Sequence, residues 1–205
     1  MTQAALPLVL ASGSPRRREL LARLGLEVTV AEPDVDETPL LGEPPPLHAL
    51  RLAREKACAG AALHPELPSL GADTVVVLGE QIFGKPASRA DAAAMLAELA
   101  GRTHVVLTAL ALRWGAREAS HVESVLVTIV PHARELFEWY LATGEGDDKA
   151  GAYAVQGKGA ALVERVEGNV QAVMGLPLAA LPALFARVGL QFVAAGDRLL
   201  VTPRA

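Results

Sequence analysis

The side chains best placed to do chemistry fall in three stretches: a cationic run after a serine turn, a carboxylate inside an apolar segment, and an acidic loop. Arg16-Arg17-Arg18 directly follow Ser12-Gly-Ser-Pro15. Ser14 suits a helix N-cap and Pro15 the first helical position, so the three cations occupy the first turn, where the helix dipole is positive. Each misplaced charge there costs roughly 0.3–1 kcal/mol at an exposed site. A capping box would want Glu or Gln where Arg17 stands. An anion at the turn reverses the sign of that cost, because free N–H groups, the Ser12 and Ser14 hydroxyls and guanidinium forks would converge on it. Phosphate is the natural candidate. A solvated basic face on an ordinary helix is the other reading, and spacing alone leaves the two level.

Asp73 lies within Leu70-Gly-Ala-Asp-Thr-Val-Val-Val-Leu78, an otherwise apolar strand. A buried carboxylate is costly unless paired or bound to a cation. Asp73 is therefore a candidate general base or metal ligand at a strand end, with Thr74 on the site or its wall; the competing reading is an Asp satisfied by its own turn. Asp34, Asp36 and Glu37 sit in a loop bounded by Pro33 and Pro39. Such oxygens can hold a hard cation, although charged loops are commonly just solvated, and for Asp34 and Asp36 that reading leads. Lys56, Lys85, Lys149 and Lys158 have surface placement as their ordinary reading, which prevails for Lys158. Gly84-Lys-Pro86 lacks the full phosphate-loop pattern. In Asp147–Gly157 small residues permit close approach of a ligand, and Gln156 offers both a donor and an acceptor to a base edge; a tight loop between core elements explains the composition equally well. The five histidines show no zinc-type spacing and read as structural. Ser12 and Ser14 lack an obvious activating partner, and Cys58 reads as core rather than nucleophile.

These residues must be positioned by alternating elements. The pattern predicts a buried strand over 8–11, a glycine turn, and a helix burying Leu20, Leu21 and Leu24. A short strand follows over 27–31. The segment 41–46, with one glycine and three prolines, reads as a loop, and 47–63 as a helix. Strands are expected over 70–78 and 82–86, then a Ser88-capped helix over 89–100 closed by Gly101. Two neighbouring strands at 104–114 and 120–130 precede a helix over 131–142. Short strands at 160–166 and 170–173 and a helix at 177–188 complete the prediction, with no element assigned after Gly189. The alternation defines an α/β fold with a mixed sheet. No internal repeat is visible, and the proline run Pro44–Pro46 and the loop around Gly144 are the expected hinges.

A chain of 205 residues with 51% apolar and 20% charged side chains suits one domain, 1–205, or a domain with a small lobe. With only 4% aromatics, its core must be built from Ala, Val and Leu. A net charge of −4 argues against binding a nucleic-acid polymer, which needs a basic footprint, so a phosphate site must be local. The single cysteine, Cys58, excludes an internal disulfide and fits a reducing compartment. No signal-like segment or bilayer-length apolar run is present. The expectation is a cytoplasmic protein without membrane attachment.

Taken together, the motifs resemble the Maf family of nucleoside triphosphate pyrophosphatases. The resemblance rests on Ala11-Ser-Gly-Ser-Pro-Arg-Arg17 with Glu19-Leu-Leu21, Ala53-Arg-Glu-Lys-Ala57, Gly71-Ala-Asp-Thr-Val75, Gly84-Lys-Pro86, Gly144-Glu145 with Asp148-Lys-Ala-Gly-Ala-Tyr153, Gln156-Gly157 and Gly175-Leu-Pro177, in family order. It omits Leu41–Pro46 and the tail after Phe192. It implies a mixed, twisted α/β sheet with flanking helices and two lobes around a deep cleft, similar to inosine triphosphate pyrophosphatases. It also implies hydrolysis of a nucleoside triphosphate to monophosphate and pyrophosphate with a divalent metal, Mg or Mn, and a possible homodimer. Asp73 then looks like the catalytic proton acceptor, Glu37 with Asp73 like the metal-side carboxylates, and Ser12, Ser14, Arg17, Lys56 and Lys85 like phosphate-side groups. Arg16, Thr74 and Gln156 look like the branch acting on dTTP and UTP; the 7-methyl-GTP branch carries Trp, Gln and Glu there. A Trp face would attract a cationic methylated purine, whereas Gln156 can satisfy the donor and acceptor edge of uracil or thymine.

Two rivals to a dTTP/UTP pyrophosphatase follow from the same resemblance. One is a house-cleaning inosine or xanthosine triphosphate pyrophosphatase. The other is a non-catalytic nucleotide-binding regulator of cell division, against which the intact acidic and basic set argues.

Overall fold

In the computed structural model, which describes residues 5–204, the run Leu8–Ala11 forms β1 with all four residues buried. Pro15 then opens α1 (Pro15–Ala22), which is followed by β2 (Val28–Ala31), α2 (Pro45–Leu63), β3 (Ser69–Leu78), β4 (Gln81–Phe83) and α3 (Arg89–Leu99). The long strands β5 (Thr103–Trp114) and β6 (Arg117–Ile129) precede α4 (Arg134–Ala142), a 3₁₀ helix at Gly157–Leu162 and β7 (Val163–Glu167). The chain closes with α5 (Val170–Val173), α6 (Leu181–Arg187) and the strands β8 (Leu190–Ala195) and β9 (Arg198–Pro203).

Seven strands form one mixed sheet in the order β2-β1-β3-β5-β6-β7, with β4 on β3; β8 and β9 form a separate ribbon. β1 pairs in parallel with both β2 and β3, aligning Leu10 with Val30 and with Leu70, while β4 on β3 and β7 on β6 are antiparallel. Parallel neighbours need a crossover, and α1 and α2 supply it for the first three strands. No helix among the described residues is long and apolar enough to cross a membrane. Residues 1–4 and 205 of the span read as one domain lie outside the described residues.

The chain divides into two compact units: one takes the residues up to Asp73, Ala109–Val122 and those from Gly175 onward, the other Thr74–Thr108 and Glu123–Met174. The chain passes from one to the other inside β3, β5 and β6, as between Asp73 and Thr74, and after α5 between Met174 and Gly175, rather than at the proline run or the Gly144 loop.

In the first unit α2 lies close on β1 and β3 because its inner face is made of small residues. Ala49, Ala53, Ala57 and Gly60 are buried there. Gly71 of β3 faces them so closely that an added Cβ would overlap the Ala53 carbonyl and stand 2.5 Å from the Ala57 nitrogen. In the second unit Val76, Phe83, Leu96, Val106, Val127, Ile129, Phe137 and Tyr140 share one core. Ser88 caps α3 by accepting from the Asp91 N–H at 3.1 Å, and the Asp91 carboxylate reaches back past the cap to accept from the Ala87 N–H at 2.8 Å.

Four sequence expectations need correction. Residues 170–173 are a helix, not a strand: the Asn169 side chain accepts from the Gln171 N–H at 2.9 Å and sets a helical start that outweighs β-branched propensity. The segment 41–46 is not all loop, because proline is tolerated in the first helical turn and α2 begins at Pro45. Residues 160–162 belong to the 3₁₀ helix that precedes β7. The tail is a hairpin turning at Gly196 (φ 67°), with Leu190 opposite Pro203 and Ala195 opposite Arg198. Leu199 N–H donates to Leu24 C=O at 2.9 Å, tying the hairpin to the end of α1.

Candidate active site

The first unit gathers five of the residues singled out in the sequence. Gly71 and Asp73 are two apart on β3 and share a face, the face that α2 covers. Lys56, between Ala53 and Ala57, is thereby carried over Asp73: its Nζ lies 2.7 Å from Asp73 Oδ1, with both side chains about nine-tenths buried. The same Nζ lies 2.6 Å from Glu37 Oε1, on an exposed side chain of the acidic loop.

Arg17 reaches the cluster from α1. Its side chain is buried; Nη1 donates to Ser12 Oγ at 2.9 Å and Nε to the Gly175 carbonyl at 3.0 Å. Burial lowers its pKa, Asp73 and Glu37 act to raise it, and Arg16 lowers it further. The cation is thus turned inward among carboxylates, which the solvated-face reading does not allow for Arg17; Arg18 is exposed and Arg16 half-buried. Ser14 stands at the N-cap without a side-chain capping bond, and its N–H donates to Ser12 Oγ at 3.2 Å.

The loop that carries Glu37 is fastened to α2. Glu43 accepts from Arg51 Nε at 2.8 Å and Nη2 at 2.9 Å, lies 3.1 Å from His48 Nδ1, and accepts from the Leu40 N–H at 3.2 Å. Arg51 Nη2 also donates to the Thr38 carbonyl at 3.1 Å, while the Thr38 N–H donates to Asp36 at 2.9 Å. The Arg51 fork holds the Glu43 carboxyl down to a pKa of about 2, and Glu43 in turn raises that of Arg51. The Thr38 hydrogen bonds lower the Asp36 pKa. Both residues flanking Glu37 are thereby held.

Two carboxylates around one ammonium, beside a buried guanidinium, can exchange partners. A polyanion placed here could take the cations as charge-assisted donors, which would leave Asp73 and Glu37 to a proton or a hard cation. These two carboxylates suit a divalent metal of the magnesium kind: the donors are all oxygen, and both reach the point at which the Lys56 ammonium sits. No group of three or more His, Cys, Asp or Glu assembles among the described residues, and a magnesium site that completes its shell with water and phosphate needs only one or two carboxylates.

Thr74, Lys85 and Gln156 belong to the second unit. Thr74 is the only position of β3 between Ser69 and Val77 that is not buried. Lys85 is exposed after β4, beside Gly84, whose carbonyl accepts from the Gly151 N–H at 3.1 Å. Gly151 has φ 70°, and an added Cβ would press within 3.2 Å of both Val76 methyl groups. Gln156 is half-buried at the start of the 3₁₀ helix. The chain around it is fixed on three sides. The Glu145 carboxylate accepts from the Lys158 and Gly159 N–H groups at 3.0 Å each, Tyr140 Oη accepts from the Ala154 N–H at 3.1 Å, and Tyr153 Oη lies 2.7 Å from His104 Nε2. Burial lowers the His104 pKa to about 4 and raises that of Tyr153. Lys149 donates to the Glu145 carbonyl and pairs with Asp148 at 2.5 Å, while Lys158 is exposed. Cys58 is half-buried, its sulfur accepting from Arg113 Nη1 at 3.2 Å.

Arg51, Glu43, Thr108 and the Gly175 carbonyl were not singled out for a role from sequence. The Glu43-Pro44 step just before a helix that carries Arg51 is a legible acid–base pairing. Nothing local marks Thr108.

The family model described as Maf-like protein matches residues 7–188, and the chain belongs to that family. It is 50% identical over 183 residues to the dTTP/UTP pyrophosphatase of Myxococcus xanthus (strain DK1622), covering 89% of this chain and 93% of the relative. The dTTP/UTP pyrophosphatase of Anaeromyxobacter dehalogenans (strain 2CP-1 / ATCC BAA-258) is 50% identical over 186 residues, covering 89% and 94%. That of Symbiobacterium thermophilum is 47% identical over 171 residues, covering 83% and 88%.

Proposed function

We propose that this chain hydrolyses dTTP and UTP to the nucleoside monophosphate and pyrophosphate. The observation that supports this reading best is the Lys56 ammonium held at 2.7 Å from Asp73 and 2.6 Å from Glu37 beside buried Arg17, in a chain half identical to named dTTP/UTP pyrophosphatases. The triphosphate draws Lys56 and Arg17 to its oxygens, with the Ser12–Ser14 turn and Lys85 as further phosphate-side donors. Asp73, released from Lys56, takes the proton of the attacking water. The water oxygen bonds to the α-phosphorus, the bond from that phosphorus to the bridging oxygen breaks, and pyrophosphate leaves with its charge met by the cations. A divalent cation, Mg or Mn, would be held by Glu37 and Asp73 and supplies neutralisation of phosphate charge. Arg16, Thr74 and Gln156 select the base. The deep cleft of the inosine triphosphate pyrophosphatase kind, a homodimer and a cytoplasmic setting belong to the same reading.

The test is a panel of nucleoside triphosphates with both products identified. Pyrophosphate from dTTP and UTP is expected. Turnover confined to inosine or xanthosine triphosphate indicates the house-cleaning activity, and binding without turnover indicates a regulator. Asp73→Asn should lower kcat by about 10² or more; near-normal turnover would remove Asp73 from the proton-accepting role. Gln156→Glu should weaken the dTTP and UTP preference, and an unchanged preference would count against its contact with the base.

A further inference from the structure

The Glu145 carboxylate accepts from the N–H groups of Lys158 and Gly159, one on each oxygen, at 3.0 Å. These are the second and third residues of the 3₁₀ helix that Gln156 precedes. The first N–H groups of a helix lack partners within it, and the side chain just before the helix ordinarily serves them. Gln156 makes no such bond. Glu145, 13 and 14 residues earlier in the chain, supplies the cap in its place, so the Gln156 amide is not drawn back onto its own helix.

The contact is fitted on both sides. Gly157 has φ 65°, and an added Cβ would stand 2.9 Å from both Glu145 carboxylate oxygens, so a side chain at 157 would push the carboxylate away. Glu145 is itself held through its backbone: its N–H donates to Thr143 Oγ1 at 3.2 Å, and its carbonyl accepts from Lys149 Nζ. Gly144-Glu145 and Gln156-Gly157, separate in the sequence, are thus two halves of one contact. Uracil and thymine present an imide N3–H between two carbonyl oxygens. An amide side chain pairs with that edge by accepting from the N3–H and donating to one carbonyl, provided it is both uncommitted and fixed in place. From this we infer that Glu145 is a positioning residue for base specificity, acting through Gln156: by capping the 3₁₀ helix in its stead, it leaves the Gln156 amide to the imide edge of a uracil or thymine nucleotide. The inference rests on the reading of the chain as a dTTP/UTP pyrophosphatase with Gln156 at the base.

The experiment compares kcat/KM, by pyrophosphate release, for UTP and 3-methyl-UTP, which lacks the imide proton. Wild-type enzyme should disfavour 3-methyl-UTP by about 10²-fold or more, since a site built to hydrogen-bond a substrate group rejects the analogue lacking it. Glu145→Gln keeps the shape but turns an NH₂ toward one of the two N–H groups, and the ratio of UTP to 3-methyl-UTP should fall about tenfold. Gln156→Ala should also lower the ratio, and adding Glu145→Gln to it should lower the ratio no further, because the two residues act as one unit. A fall in Glu145→Gln that is equal for both nucleotides means that Glu145 is merely structural and overturns the inference. An undiminished effect of Glu145→Gln on the ratio in the Gln156→Ala background overturns it too. Wild-type turnover of 3-methyl-UTP as fast as UTP overturns it whether or not any variant folds. Pyrophosphate from neither UTP nor dTTP in wild type overturns the underlying functional reading and the inference with it, a result distinct from the others.

Discussion

Lys56 Nζ stands 2.7 Å from Asp73 Oδ1 with both side chains nearly withdrawn from water, and the second carboxylate, Glu37, completes a bridge over the same ammonium. Removing one member of a buried pair costs about 3–5 kcal/mol, because the remaining charge is left uncompensated. Lys56→Met should therefore destabilise the protein by about 3 kcal/mol in urea unfolding. Millimolar Mn²⁺ should raise the Tm of the variant more than that of wild type, since the cation enters between two carboxylates no longer held by an ammonium. Equal stability of variant and wild type would show that the bridge contributes nothing.

The Arg51 fork on Glu43 should matter to catalysis without touching substrate. Arg51→Ala releases the Thr38 carbonyl and the two-point contact on Glu43, leaving Glu43 only His48 and the Leu40 N–H, and so loosens the Glu37 loop. The expected result is a fall in kcat of about tenfold and a higher Mg²⁺ requirement, with the UTP-to-CTP ratio unchanged. Arg51→Lys should not rescue it, because an ammonium cannot reproduce the two-point contact. Steady-state kinetics across a Mg²⁺ titration provide the check.

Gly71→Ala tests the seat of α2 on β3. The added methyl meets helix backbone, including the Ala57 nitrogen at 2.5 Å, not the end of a flexible side chain. Overpacking of this kind costs about 1–3 kcal/mol or more. Activity should fall with stability, because the displaced helix is the one that carries Lys56. A urea midpoint equal to that of wild type would contradict the close approach.

His104 sets a pH dependence of stability. Its folded pKa is about 4 because burial disfavours the charged ring, against about 6.5 in an unfolded chain. Above 6.5 neither state binds the proton and His104 contributes nothing to the pH slope. As pH falls from 6.5 toward 4 the unfolded state gains a proton that the folded state refuses, and stability is lost, by up to about 3 kcal/mol. Unfolding measured at pH 7 and pH 5 should show this loss in wild type and less of it in His104→Gln.

The strands and helices that place the first-unit site were legible in the sequence because each has a local cause: an apolar run at Leu8–Ala11, Pro15 opening α1, and small residues at Ala53 and Ala57. Asp73 stood out because a lone carboxylate inside an apolar strand demands a partner, but the partner itself, Lys56, is 17 positions away, and its own segment marks it only as a helical lysine. Asn169 turned a β-branched segment into a helix through one side-chain bond. The bonding of buried Thr108 was invisible because its neighbours in sequence are those of any buried strand, and the carbonyl it donates to is 64 residues away.

The fastening of residues 36–43 has a consequence for how a nucleotide is received. Ordering a backbone costs about 1–2 kcal/mol per residue, and here that cost is met during folding rather than on encounter. The acidic segment is scaffold and not a lid. Association should then run at a rate set by diffusion and charge, with no slow closing phase contributed by this stretch of chain.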